Sequence, residues 1–468
     1  MIAFFRSNSL FYFIVIVALV CLIRIPLIIK GLPLLSTDLE WMLVGERINN
    51  GFFLYKDIWT NISPFSALIY SFIEANTSRS HAINAYIGIP FTLIVIFVFN
   101  NVMIKRNAFL EKNFVPALIF AFFLNLSYDM FSLSPPLLSV LFLILAFNKI
   151  VIEMEKSIGV SDEVFEVGLY LGIATLFNLP SFVFIIWAFL SILFFTGSSF
   201  RQYFLLFFGF SLPIFLVILF YYLNNSFAQL SYNWLSSFLR VRSIEFNEIF
   251  VVLAILLTPG LLAILGFFRV SVMLRYNSYQ TRMQQIMMLW VLVGITALFI
   301  MPRITPSQII ILMPPIAFFT AHYFLNMKNR FRADLFFTIA VGFMSVLFYL
   351  GIIKQKTSEN IFMMQSLQID KSRVKAEYAN QKVLIVGDEF SEYLNSTPAT
   401  CYLNWDLSAI DLNNPDNFVS IINIFDNFKN DSPQFIIDKK NVIPRIFERI
   451  PELSRRYTQI EKGVYKKR

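Results

Sequence analysis

Residues 10–29, LFYFIVIVALVCLIRIPLII, decide the class of fold. A run of about 20 apolar residues makes a helix about 30 Å long, the thickness of a bilayer's hydrocarbon core. Arg24 is its one charge, and no small-residue cleavage site follows, so the segment reads as a retained membrane helix and not as a signal peptide. The same pattern recurs outward along the chain at 83–104, 114–132, 135–152, 165–178, 180–196, 202–223, 249–268, 284–302, 306–326 and 334–353, which predicts about 11 transmembrane helices. Around Asn178-Leu179-Pro180 each half is short, and the pair is either two tight helices or one broken pair. The composition agrees: 57% of residues are hydrophobic and 15% charged, against about 45–50% and about 25% in ordinary globular domains. These values exclude a soluble enzyme, a disordered chain and a nucleic-acid-binding domain.

The net charge of +8 follows from topology. From Lys356 onward Lys and Arg number 16 against 15 acids, so the excess lies in the first 355 residues, 22 against 15. Lys105, Arg106, Lys112, Arg269, Arg275, Arg282, Lys328, Arg330 and Arg332 fall in alternate short loops. The positive-inside rule places those loops and the N-terminus in the cytoplasm, and the tail outside it. The reading is therefore a transmembrane domain over 1–354, with an outer loop at 30–82, and a small extracytoplasmic α/β domain over 355–468. In the tail, Lys354–Asn380 reads as a helix leaving the membrane, Lys382–Gly387 and Gln434–Asp438 as strands, Asn417–Phe428 and Arg445–Arg456 as helices, and Tyr457–Tyr465 as a hairpin. Cys21 and Cys401 predict no disulfide or metal cluster, and His81 and His322 are too few for a His-based metal site.

Charged residues in such a chain are informative because they are scarce. In the outer loop, Ser36 or Thr37 can cap a helix from Asp38 to about Asn49 that Gly51 ends. Asp38 and Glu40 at its first turn suit a general base or a divalent-cation site, or simply favour the positive end of the helix dipole. Tyr55, Lys56 and Asp57, among aromatics, form either an interfacial anchor or a substrate wall. Arg24 is a functional candidate by its intramembrane place, or snorkels to the interface. Arg303, between Pro302 and Pro306, offers a permanent forked charge to a lipid-linked phosphate or a lipid headgroup. His322 reads as structural. No Walker loop, Rossmann fingerprint or zinc spacing occurs, and no pairing of broken helices marks a transporter.

A first helix, an acidic outer loop, then Gly51-x-x-x-Tyr55-Lys56-Asp57 and Pro64 resembles the polyprenyl-phosphate-dependent glycosyltransferases of the GT-C superfamily, which include protein O-mannosyltransferases and lipid A aminoarabinose transferases. Gly168 to Pro180, Phe208-Gly209-Phe210-Ser211-Leu212-Pro213, Arg303 through Pro314-Pro315, and in the tail Val386-Gly387-Asp388-Glu389 and Ser432-Pro433-Gln434-Phe435-Ile436-Ile437 follow the family order. The resemblance implies a bacterial inner-membrane enzyme that moves a sugar from a polyprenyl-phosphate donor to a lipid, glycan or protein acceptor on the periplasmic face. It makes Asp38 the base, with Glu40 assisting or itself the key acid. Arg303 and Arg24 stand near the donor phosphate and Tyr55, Lys56 and Asp57 in the substrate loop, with a divalent cation undecided. Two departures stand out: Leu39 separates acids that are adjacent in the family, and Asn178 replaces a common Lys. The rival expectations are a non-catalytic component of envelope or secretion machinery and a transporter of lipid-linked sugar.

Overall fold

The computed structural model describes residues 1–155, 162–197, 199–235, 237, 246–272, 276–300, 305–353, 368–369 and 374–468. The helices before the tail are α1 (Leu10–Lys30), α2 (Ser36–Asn49), α3 (Pro64–Thr77), α4 (His81–Lys105), α5 (Val115–Phe123), α6 (Pro135–Glu155), α7 (Asp162–Phe177), α8 (Phe184–Phe195), α9 (Phe200–Leu223), α10 (Phe227–Leu230), α11 (Phe246–Val272), α12 (Ser278–Ile300), α13 (Met313–Leu325) and α14 (Arg330–Ile353). The chain divides into two compact units. One holds Met1–Leu32, Ala82–Leu219 and Arg240–Met364; the other holds Pro33–His81, Phe220–Leu239 and Gln365–Arg468.

The first unit is a multi-pass helical membrane domain. Among the described residues, 8 helical segments are long and apolar enough to cross a membrane, Pro306–Leu325 among them as a 3₁₀ turn running into α13. Large apolar side chains such as Leu22, Phe200 and Phe268 point outward, as expected where lipid and not water is the solvent. The other three of the eleven expected segments are shorter than a span for local reasons. Segment 114–132 stops as α-helix at Phe123, and Leu124–Ser134 is irregular apart from a 3₁₀ turn at Tyr128–Met130. Segments 165–178 and 180–196 are separate: α7 ends at Phe177, Asn178 is extended, and a 3₁₀ turn over Leu179–Val183 leads into α8. Asn178 takes the extended conformation expected near a proline-led turn.

The glycine motifs of the sequence meet in this unit. A Cβ on Gly168 of α7 would lie 2.1 Å from the Leu206 carbonyl oxygen of α9, and one on Gly209 would lie 2.3 Å from the Phe165 carbonyl oxygen. Only glycine lets these two helix backbones touch. Gly168→Ala is expected to lower the thermal midpoint by the equivalent of about 1–3 kcal/mol, as overpacking does. Gly260→Ala, where nothing lies within 4 Å, is expected to be neutral or mildly stabilising in a melting experiment.

The second unit is α/β. Its sheet consists of β1 (Lys382–Val386), β2 (Thr397–Pro398), β3 (Phe435–Asp438), β4 (Tyr457–Glu461) and β5 (Val464–Lys467), in the order β2-β1-β3-β5-β4. β1 pairs in parallel with β2 and β3, whereas β5 runs antiparallel to β3 and β4. Val383, Leu384 and Val386 of β1 and Phe435–Ile437 of β3 are near-continuous apolar runs, as a strand covered on both faces requires. The helices are α15 (Trp405–Leu412), α16 (Phe418–Asn430), α17 (Ile443–Arg449) and α18 (Pro451–Arg456). Both strands, the 417–428 helix and the hairpin stand where the sequence places them. The expected 445–456 helix is two, broken at Ile450-Pro451, because proline lacks a backbone donor and restricts its predecessor. β2 and α15 lack a clear sequence signal. The expected helix over Lys354–Asn380 lies mostly outside the described residues.

This unit also takes in the outer loop, which the composition assigns to the membrane domain. Trp59 packs in the tail's core with Tyr402, Leu384, Leu407 and Ile436, and its backbone N–H donates to the Cys401 carbonyl at 2.8 Å. Arg47 of α2 pairs with Asp431 at 3.1 Å and also donates to the Pro398 carbonyl. Asp431 in addition accepts from Lys382 Nζ at 2.7 Å and from the Thr400 backbone N–H at 3.0 Å. Burial pushes this carboxyl up, but Lys382 and Arg47 together hold it below its ordinary range. A depressed carboxylate stabilises the fold above its unfolded value and loses that contribution as pH falls through the folded one. The full chain is therefore expected to lose melting temperature below about pH 4, and Asp431→Asn to lower the neutral-pH midpoint and flatten this acid limb.

Candidate functional site

The polar features of the outer loop gather around α2. Leu34 and Leu35 run extended beside Gln368 and Ile369, with the Ile369 N–H donating to the Leu34 carbonyl at 2.9 Å. The chain therefore turns into the helix at Leu35, earlier than the serine and threonine suggest. Ser36 and Thr37 lie inside the helix, not at its cap, and Leu35 is the cap residue without a side-chain bond. Asp38 falls in the first turn, where the dipole favours an anion.

Asp38 is 7% exposed. Its Oδ2 has no hydrogen-bond partner and lies 3.5 Å from Nε2 of His81, the first residue of α4. Tyr70 of α3 lies close enough to feel its charge: burial, then Asp38 and Glu74, push the Tyr70 hydroxyl well above its usual range, so it stays a protonated phenol. An acid, an imidazole and a phenol thus share one small, mostly buried neighbourhood. His81 is the residue that the sequence reading passed over, counting it only as a poor metal ligand. Its signal was position, one of two histidines at the head of a helix after the outer loop.

Glu40 has partners in the outer loop and the tail. Residues two apart on a helix face different ways, and Glu40 Oε1 accepts from Thr60 Oγ1 at 3.2 Å and from Asn404 Nδ2 at 2.9 Å. It ties the loop to the tail within the second unit. Tyr55, Lys56 and Asp57 form a tight turn. Tyr55 is fully buried with φ +66°, its hydroxyl donates to the Ile62 carbonyl at 2.6 Å, and the Asp57 carboxylate accepts from the Phe53 N–H at 2.8 Å. Lys56 is exposed.

Arg24, in the membrane unit, is completely buried and does not snorkel. Its Nε donates to Asn125 Oδ1 at 2.7 Å. Nη1 donates to Thr92 Oγ1 at 2.9 Å and the Phe131 carbonyl at 3.2 Å, and Nη2 to the Leu124 and Met130 carbonyls at 2.9 and 3.2 Å. All five guanidinium donors have protein acceptors, which leaves none for a donor phosphate and departs from the phosphate-binding expectation. Asp129, an acid within the expected 114–132 span, is likewise engaged, accepting from the Ser307 N–H at 2.6 Å. Arg303 lies outside the described residues. Among those described, no group of three or more His, Cys, Asp or Glu side chains converges for a metal ion; Asp38 and His81 offer two ligands.

No protein-family model and no curated protein matches the chain by sequence. Solved structures do match in fold. One is ArnT from Cupriavidus metallidurans bound to undecaprenyl phosphate, with TM-score 0.50 and 11% identity over 76% of this chain and 67% of that one. Another is the archaeal oligosaccharyltransferase AglB from Archaeoglobus fulgidus, in complex with an inhibitory peptide and a dolichol-phosphate, with TM-score 0.50 and 10% identity over 98% of this chain and 74% of that one. The chain has a GT-C-like fold.

Proposed function

We propose, with the GT-C-like membrane fold as premise, that this chain is a glycosyltransferase. It transfers a sugar from a polyprenyl-phosphate donor to a lipid, glycan or protein acceptor at the outer face of a bacterial inner membrane. The observation that carries the reading is Asp38: a buried carboxylate with an unbonded oxygen 3.5 Å from His81, in the loop after the first helix. ArnT was solved with undecaprenyl phosphate and AglB with a dolichol-phosphate, and both ligands support a lipid-phosphate donor.

In this reaction the acceptor hydroxyl gives its proton to Asp38 as its oxygen attacks the anomeric carbon. The bond from that carbon to the phosphate oxygen breaks, and polyprenyl phosphate leaves with the electron pair. His81 acts as a positioning residue that orients the carboxylate. The fixed charge of Arg303 offsets the negative charge that builds on the leaving phosphate, an assignment resting on its place between Pro302 and Pro306. The substrate turn Tyr55-Lys56-Asp57 presents Lys56 to the acceptor. Arg24 and Glu40 hold the scaffold.

The test uses purified chain in vesicles with a polyprenyl-phosphate donor labelled in the sugar. Label should pass to an acceptor with release of polyprenyl phosphate. Label that crosses the bilayer on an intact donor would instead mark a lipid-linked sugar transporter, and no label movement of either kind a non-catalytic scaffold; each would overturn the proposal.

A further inference from the structure

We infer that a groove at one end of the membrane helices, built from residues of the unit that does not hold Asp38 and His81, holds a single anionic glycerophospholipid of the surrounding bilayer. The groove has a volume of about 630 Å³ and lies where α8 ends, α11 ends and α12 begins. Its lining is mixed: Phe194, Phe267 and Leu289 offer apolar surface suited to an acyl chain, and Tyr276, Thr281 and Gln284 offer polar groups.

Two observations select the headgroup. Gln284 is over nine-tenths buried, and its Nε2 amide lacks a hydrogen-bond partner, a donor whose desolvation is uncompensated until an acceptor arrives. Arg282, next to Thr281, is anchored at the groove by a bond from Nη1 to the carbonyl of the lining Phe195 at 3.4 Å. The groove thus has one guanidinium at its edge beside a buried amide donor. Glu155, the acid that contacts α12 through Tyr279, is engaged by that hydroxyl and by Arg106. A phosphodiester with an acyl chain satisfies donors, charge and apolar lining together, whereas free phosphate leaves the apolar lining uncovered and a zwitterionic lipid sets its own cation against Arg282.

The experiment is native mass spectrometry of the full chain released from a bilayer of equal phosphatidylglycerol and phosphatidylcholine. Wild type should retain one phosphatidylglycerol at least about tenfold over phosphatidylcholine, the equivalent of one charge-assisted bond. Arg282→Gln should abolish the preference, and Ser271→Trp, which fills the groove, should remove the bound lipid. Melting curves of each variant establish that it is folded, and the wild-type preference stands as a test without any variant. Equal retention of the two lipids, or a preference that survives Arg282→Gln in folded protein, would overturn the inference. So would displacement by equimolar polyprenyl phosphate, which would make the groove a donor site. Loss of transferase activity bears on none of these readouts.

Discussion

Arg24→Leu is expected to leave little folded protein. The substitution keeps the volume roughly apolar but strips partners from the Asn125 amide oxygen, the Thr92 hydroxyl and the Leu124, Met130 and Phe131 carbonyls. Each buried acceptor left without its donor costs about 1–3 kcal/mol, so the set is a large part of the about 5–15 kcal/mol that holds a typical domain together. Leu124–Phe131 holds only one 3₁₀ turn, Tyr128–Met130, and a buried carbonyl left without a donor is costly. Arg24→Lys should recover only part of the loss, since one ammonium cannot reach acceptors arranged for a planar fork. The check is the yield of monodisperse protein and its melting midpoint in detergent. A leucine variant within about 1 kcal/mol of wild type would show that the clamp is dispensable and would reopen a ligand-binding role for Arg24.

Asp38→Asn carries the second large effect, on turnover and not on stability. Its Oδ2 makes no hydrogen bond, so the isosteric amide breaks none there, and the melting midpoint should stay within about 0.5 kcal/mol of wild type. A lost general base costs about 10²–10⁴-fold in rate, and because the acid acts on the reacting proton, the loss should fall on kcat with donor KM little changed. His81→Gln should lower kcat less and shift its pH profile, the signature of a positioning residue. Glu40→Gln should do the reverse, lowering the melting midpoint through Thr60 and Asn404 with a smaller effect on kcat.

The membrane helices were legible because hydropathy is local: twenty apolar residues announce a span whatever they pack against. The three shorter segments were less so, since Phe123 ends its helix for the sake of a turn whose carbonyls serve Arg24. Sequence made Arg24 conspicuous but gave no hint of its acceptors, which come from α4 and from the Leu124–Phe131 turn. The acidic turn was equally visible, yet spacing could not separate Asp38 from Glu40. Their roles diverge because one meets His81 and the other meets Asn404, 364 positions away. Composition likewise drew the domain boundary at the end of the last apolar helix, while Trp59 and Arg47 carry the outer loop into the tail's own unit. Burial and partnership across long separations are what pattern alone does not encode.

The most direct measurement is the rate of free polyprenyl phosphate release from a polyprenyl-phosphate-linked sugar, by wild type and Asp38→Asn at matched amounts of folded protein in the same vesicles. The account predicts acceptor-dependent release by wild type and a fall of at least about 100-fold in the variant. Equal release by the two proteins would contradict it.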